Sequence, residues 1–204
     1  ITIKRMAMLR EIDVGGTSVE IDQLFESDVN GVVWDSALVA IYYLAKHGDL
    51  VRGKTILDLG SGTGAVSIAC GVLGGKAIAT DLPDRLDLIR ENIDLNNSKI
   101  SGEMSVEPLD WNDGYSKGTP IDLLLVVDCV YYKASIEPLI KTMREVRAKK
   151  TLVAYEVRDL GETIEAQQMF MQRLGEEFVI EEVPKEDLDE FGCDEINLCF
   201  VTPK

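Results

Sequence analysis

The sequence predicts an α/β fold: a largely parallel sheet wound on both faces by helices, with a β-hairpin in front of it. Three observations lead there. From Thr55 onward, short apolar runs alternate with segments of helical periodicity. The most apolar run, Ile121–Val127, reads as a central strand buried on both faces. A glycine loop, Asp58-Leu-Gly60-Ser-Gly62-Thr-Gly64, separates the first of these strands from the helix that follows it.

Ile1–Phe25 alternates apolar and polar residues around Gly15-Gly16 and predicts the hairpin. Trp34–His47 places Leu38, Ile41, Tyr42 and Ala45 at helical spacing. Thr55–Leu59 is a short buried strand, and an Ala/Val/Ile-rich helix runs from the glycine loop to about Leu73. Lys76–Thr80 is the next strand. Asp84–Leu95 is a helix with Leu86, Ile89 and Ile93 on one face. Met104–Pro108 is a weak strand, Ile136–Ala148 a helix, Thr151–Glu156 a strand and Glu162–Gly175 a helix. Phe178–Val183 and Asn197–Val201 are strands joined by an acidic loop, Lys185–Glu195. Parallel neighbours need a crossover of about a dozen residues or more. This loop has little room for one, so the last strand is expected to run antiparallel. The whole chain, 1–204, reads as one domain, with 1–30 a hairpin extension and 31–204 a Rossmann-like core of seven strands.

Composition narrows the function. With 46% hydrophobic and 28% charged residues, the chain has globular rather than disordered proportions. No run approaches the roughly 18 apolar residues of a membrane span, so no membrane partner is expected. The chain starts at Ile1 without a methionine or a leader pattern, and its native terminus is expected upstream. Cys70, Cys129, Cys193 and Cys199 form no CxxC pair and His47 is the only histidine, so neither a metal site nor a disulfide framework is expected. Reduced thiols point to the cytoplasm, with the nucleus as an alternative. The net charge of −15 repels a phosphate backbone, which argues against nucleic acid as partner. It suits a basic substrate group, or simply a solvated surface.

The glycine loop follows a strand and opens a helix, so its backbone can approach a ligand and the helix N-terminus can favour a negative group. Gly60, Gly62 and Ala65 also satisfy the dinucleotide pattern, which leaves NAD open on spacing alone. Asp58 tilts the reading. A carboxylate at that strand end repels a phosphate and attracts an amine. S-adenosylmethionine carries such an amine and a carboxylate, and has no phosphate. Asp81 ends the next strand, 17 residues past Gly64, where it can accept hydrogen bonds from ribose hydroxyls or cap the helix after it. Leu109-Asp110-Trp111 follows the weak strand, in the loop that lies beside the adenine in such folds.

Asp128-Cys-Val-Tyr131 ends the most buried strand, and ligands in open α/β sheets bind off the carboxyl ends of strands. A buried carboxylate is costly unless paired, so Asp128 calls for a partner. It can orient an incoming amine by accepting its N–H bonds. It favours the charged amine, which makes it an orienter more than a base.

Together these residues resemble the seven-strand protein-lysine methyltransferases of the methyltransferase-like 21 family (family 16). Trp34, in Gly31-Val-Val-Trp34-Asp35-Ser-Ala37, matches the family's tryptophan motif. Asp58–Gly64 matches its cofactor loop, Asp81 its ribose acid, Trp111 its adenine-side tryptophan, and Asp128–Tyr131 its D-x-x-Y signature. The resemblance implies a class I methyltransferase sheet with an antiparallel last strand. It implies S-adenosylmethionine as cofactor, S-adenosylhomocysteine as product, and Asp128 and Tyr131 as catalytic residues. It implies cofactor contacts from Trp34, Asp58, Gly60, Ser61, Gly62, Gly64, Asp81, Leu82, Asp110, Trp111 and Val127. Asp128-Cys-Val-Tyr-Tyr132 and the acidic Asp187-Leu-Asp-Glu190 are most similar to the family member that acts on valosin-containing protein. They imply trimethylation of a lysine in that hexameric AAA ATPase, or in another chaperone, by a monomeric enzyme. The rival readings are a small-molecule N- or O-methyltransferase, an NAD-dependent oxidoreductase and a cofactor-binding but idle interaction module.

Overall fold

The computed structural model describes all residues except 1–7, 25–30, 159–160 and 189–191. In chain order the elements are β1 (Met8–Val14), β2 (Thr17–Gln23), α1 (Asp35–Lys46), β3 (Thr55–Leu59), α2 (Ala65–Val72), β4 (Lys76–Asp81) and α3 (Leu86–Asn96). They continue with β5 (Glu103–Pro108), β6 (Leu123–Val127), α4 (Lys133–Val146), β7 (Lys150–Glu156), α5 (Glu162–Glu177), β8 (Phe178–Glu182) and β9 (Ile196–Pro203).

β3 to β9 form one seven-stranded sheet in the order β5-β4-β3-β6-β7-β9-β8. The pairings from β5 to β7 are parallel, and β9 runs antiparallel to both β7 and β8. The short acidic connection before β9 thus does what its length predicted. The chain reverses beside β8 instead of crossing over. β6 is buried along its whole length. Leu123, Leu125 and Val127 pack toward α1 and α2, while Leu124 and Val126 pack toward α4 and α5. That two-sided burial is why the segment reads as continuously apolar.

Most boundaries lie within two residues of the sequence reading, and two that differ belong to elements that flank the site. β6 starts at Leu123, not Ile121, and just before it the Asp122 carboxylate accepts from the Thr55 N–H (2.9 Å) and the Lys149 ammonium (2.6 Å). α4 starts at Lys133 rather than Ile136, which leaves Pro138 inside the helix. Glu162 of α5 accepts the Lys133 N–H at 3.1 Å, and Glu165 pairs with its side chain. This tertiary contact holds a first turn that local preference would not.

The hairpin pairs β1 with β2 across Gly15-Gly16, both at positive φ. The hairpin prediction extended over Ile1–Phe25, and its residues 1–7 and 25 lie outside the described residues. Two buried asparagines of α3 dock it. Asn96 exchanges hydrogen bonds with Glu20 N–H and C=O (3.0 and 2.6 Å). Asn92 accepts from Asp22 N–H and donates to Asp22 C=O and to Thr63 C=O in the glycine loop. Gln23 accepts from Val33 N–H, one residue before Trp34. β2 is therefore tied to the loops that form the site. Among the described residues, no helix is long and apolar enough to cross a membrane. Cys70, Cys129, Cys193 and Cys199 are free, and no metal-binding group of His, Cys, Asp and Glu is present among the described residues.

Candidate functional site

The carboxyl ends of β3, β4 and β6 open onto two adjoining cavities that share Gly60 and Tyr131. One, about 40 Å³, is lined by Trp34, Asp58, Ser61, Gly62, Val127 and Asp128, with Val32, Val33, Ala37, Thr63, Ala65 and Val66. The other, about 250 Å³, is lined by Asp81, Leu82, Leu109, Asp110, Trp111 and Asn112, with Tyr132, Ser135 and Pro138. The structure thus brings every sequence-predicted site residue except Gly64 to one groove. Gly64 stands behind it as the N-cap of α2, at φ +80°. A Cβ there would meet Ile89 Cγ2 at 2.9 Å, so glycine sets both the turn and the packing of α3. At Gly60 (φ +68°) a Cβ would come within 3.1 Å of the Trp111 ring and 3.3 Å of Cys129 Sγ. The missing side chain lets the backbone lie between those two groups.

The loop is anchored through side chains. Ser61 Oγ donates to Asp58 C=O (3.2 Å) and accepts from Thr80 N–H (3.0 Å), which fastens the turn to β4. Asp81 accepts from Gly62 N–H and Leu82 N–H, both at 2.8 Å. It braces the glycine loop and does not cap the helix after it. Asp110 is engaged locally, accepting from Asn112 N–H and side-chain amide. Trp111 is half-buried against the α4–α5 side, and its C=O accepts from Thr142.

Three carboxylates are nearly sealed off: Asp58 is 2% exposed, Asp128 6% and Asp81 7%. Burial raises the pKa of each. Asp58 is pushed to about 6 by desolvation, against the lowering effect of hydrogen bonds from Ser67 (2.6 Å to its hydroxyl) and Ser61. For Asp81, the Gly62 and Leu82 N–H groups pull the other way. For Asp128, desolvation is opposed first by Arg158. Burial and the neighbouring Cys129, Asp128 and Asp81 push the Tyr131 phenol above its usual range, so its hydroxyl keeps its proton.

Asp128 has the partner its burial demands. Arg158, just past β7, places Nη2 3.0 Å from Asp128 Oδ2 and 3.4 Å from Glu156 Oε2. Its guanidinium stacks over Trp34 at 4.4 Å. The backbone of Asp128 sits in the left-handed region, φ +51°, where aspartate is better tolerated than most side chains. Sequence reasoning missed Arg158 and Tyr132. The signal for Arg158 was present: Glu156-Val-Arg158 lies at the carboxyl end of a parallel strand, where Asp58, Asp81 and Asp128 also lie.

Residues 15–177 match the family described as lysine methyltransferase, family 16. The chain belongs to that family. Mouse protein-lysine methyltransferase METTL21E is 31% identical over 159 residues, a match covering 74% of this chain and 64% of that protein. The chain thus spans under two thirds of that relative's length. EEF1A lysine methyltransferase 3 of Xenopus tropicalis is 30% identical over 192 residues, covering 92% of this chain and 82% of that protein. Among solved structures, the Thermus thermophilus 16S rRNA N2 G1207 methyltransferase RsmC, in complex with AdoMet and guanosine, superposes with a TM-score of 0.69. That match is 12% identical and covers all of this chain and 52% of that one, so it speaks for the fold alone. The family 16 core therefore has a class I methyltransferase sheet, with the groove at the carboxyl edge of its parallel strands.

Proposed function

We propose that this family 16 chain is an S-adenosylmethionine-dependent protein-lysine N-methyltransferase. The observation that carries the reading is the shared groove. The Asp58–Gly64 loop, Asp81 and Trp111 meet Asp128 and Tyr131 across two cavities with two residues in common.

The residues fit the cofactor's chemistry. The 250 Å³ cavity, walled by Leu109 and Trp111 and edged by Asp81, suits an adenosine. Asp58, at the end of the small cavity, suits an ammonium. Among the described residues no side chain caps α2, and Ala65 and Val66 of its first turn line that cavity, which suits a carboxylate. Asp81 would exchange its backbone donors for, or share them with, ribose hydroxyls. When bound, S-adenosylmethionine supplies a methyl carbon to which an amine lone pair adds while the carbon–sulfur bond breaks and its electron pair stays on sulfur. The chain's part is positioning. Asp128 accepts N–H bonds from the lysine amine and turns its lone pair toward the groove. Tyr131, at the junction of the cavities, offers a second acceptor oxygen. The amine's proton leaves to water.

Within this reading the target is a lysine of valosin-containing protein, a hexameric AAA ATPase, and the product is trimethyllysine. Asp128-Cys-Val-Tyr-Tyr132 and Asp187–Glu190 support that choice, though 189–190 lie outside the described residues. The deciding experiment incubates the chain with tritiated S-adenosylmethionine and a cell extract, with Asp128→Ala as control. The expected result is a discrete labelled protein band, at the size of the ATPase subunit, that falls about 10²-fold or more in the variant. Cofactor affinity by calorimetry should hold within a few-fold. Label confined to small molecules would favour a small-molecule methyltransferase. A band of another size would move the target. Equal loss of transfer and cofactor binding would make Asp128 a cofactor or structural residue.

A further inference from the structure

Around the acceptor carboxylate the charges do not balance without Arg158. From the end of β6 comes Asp128. From the start of α1 come Asp35 and the Ser36 hydroxyl, and from the end of β7 comes Glu156. From the floor of the groove, Asp58 and Asp81 face inward beside Tyr131 and Cys129. A lysine entering this ring of carboxylates would be held as ammonium, which has no lone pair to give. Arg10 offsets Asp35 at 3.7 Å and Arg85 acts on Asp81, while Arg158 is the cation paired with Asp128 itself among the described residues. It reaches both Asp128 and Glu156 and covers the Trp34 face. It is also built in rather than loosely placed, its side chain only 22% exposed. Gln167 of α5, itself buried, donates to Glu156 C=O at 2.6 Å and accepts from Arg158 N–H at 3.4 Å. Val157 N–H donates to Glu195 C=O. The segment that carries the guanidinium is therefore fixed on both sides.

We propose that Arg158 is a positioning residue for methyl transfer: it holds the Asp128 carboxylate ionised and oriented, and offsets its charge so that the bound lysine amine gives up its proton near neutral pH. This rests on the methyltransferase reading above. The guanidinium acts through Asp128, accepts nothing from the amine and stays paired throughout. Of its five N–H donors, those not spent on Asp128 and Glu156 also repel an ammonium that approaches from the Trp34 side. Both effects act in the same direction. Removing Arg158 raises the pKa of Asp128 and raises that of the amine beside it, so the reaction needs a higher pH.

The test compares wild type, Arg158→Gln and Arg158→Lys in two measurements. The first is the pH dependence of tritium transfer from S-adenosylmethionine to the proteins of a cell extract. In Arg158→Gln the acid limb should move up by about one unit or more. Transfer at pH 7 should fall roughly tenfold and recover by about pH 9. Arg158→Lys, which keeps a charge, should stay within about half a unit of wild type. The second needs no activity: carbon-13 NMR titration of the Asp128 carboxyl, identified by its absence in Asp128→Asn. Its midpoint should rise in Arg158→Gln and not in Arg158→Lys. A loss of transfer that is equal at every pH, with an unmoved Asp128 titration, would show a merely structural residue and overturn the proposal. So would an Arg158→Lys variant that behaves like Arg158→Gln. A more active Arg158→Gln with a lower KM would also overturn it, because Arg158 would then compete with the lysine for Asp128. Wild type that labels nothing would overturn the methyltransferase reading itself, which the Asp128 titration distinguishes from failure of the Arg158–Asp128 pairing.

Discussion

The two halves of the groove are built by different means. On the β3–β4 side the work is done by backbone. Three glycines at positive φ, two serine anchors and the N-terminus of α2 shape a surface over a few contiguous residues. On the β6–β7 side it is done by side chains drawn from separate stretches: Trp34 before α1, Asp128 after β6, and Glu156 and Arg158 around the end of β7. The first half is a backbone surface and can be written as a motif. The second is a set of paired charges, which exists only once the strands are in register.

The largest effect that would sharpen this contrast concerns Asp58. Its folded pKa of about 6 lies above the unfolded value of 3.8, so the folded chain holds that proton more tightly. Ionised Asp58 therefore costs stability at neutral pH. The cost is relieved as pH falls through 6 toward 4 and returns as pH rises. The difference of roughly two units corresponds to about 3 kcal/mol as an upper bound. Asp58→Asn should raise unfolding free energy at pH 7 by about 1–3 kcal/mol and flatten its rise between pH 7 and 4, as read by urea denaturation at both pH values. The same variant should bind S-adenosylmethionine more weakly. A destabilised variant with an unchanged pH slope would show that Asp58 is there for the fold and not for an amine.

Next comes Asp81→Ala. Its carboxylate accepts two backbone N–H bonds within the loop, and the ribose reading asks the same oxygens to accept more. Loss of charged hydrogen bonds should weaken cofactor binding roughly tenfold or more by calorimetry. Unchanged affinity would leave Asp81 a brace for Gly62 and remove it from ligand binding.

These differences explain what was legible. The succession of strands and helices along the chain, the two-faced burial of β6 and the reversal before β9 follow from apolar runs and loop length. Those are local quantities, and the structure agrees with them. The glycine loop is legible because its shape depends on consecutive residues. The start of α4 was not, since Glu162 and Glu165 fix Lys133 from another helix. Arg158 was not, although the burial of Asp128 announced that some cation had to exist. Spacing names the residue that needs a partner. Strand order is needed to say which residue lies opposite: β6 and β7 are neighbours, so their carboxyl ends share a site.

The smallest expected effect falls on the residue where the two halves meet. Tyr131 lines both cavities, and its ring stands edge-on to that of Tyr132 at 5.4 Å. Packing and the hydroxyl can therefore be separated. Tyr131→Phe keeps the ring, and with it the wall between the cavities, so S-adenosylmethionine affinity should change less than about threefold. It removes one acceptor oxygen at the amine, a neutral hydrogen bond worth about 1 kcal/mol, which predicts a fivefold or so drop in transfer. Because the phenol is held protonated well above neutrality, that drop should be the same from pH 6 to 9. The flat loss contrasts with the pH-dependent one predicted for Arg158→Gln. A Tyr131→Phe variant with a shifted acid limb would mean that the phenol takes part in the amine's proton balance, and the division between a binding half and a charge-balancing half would fail at Tyr131.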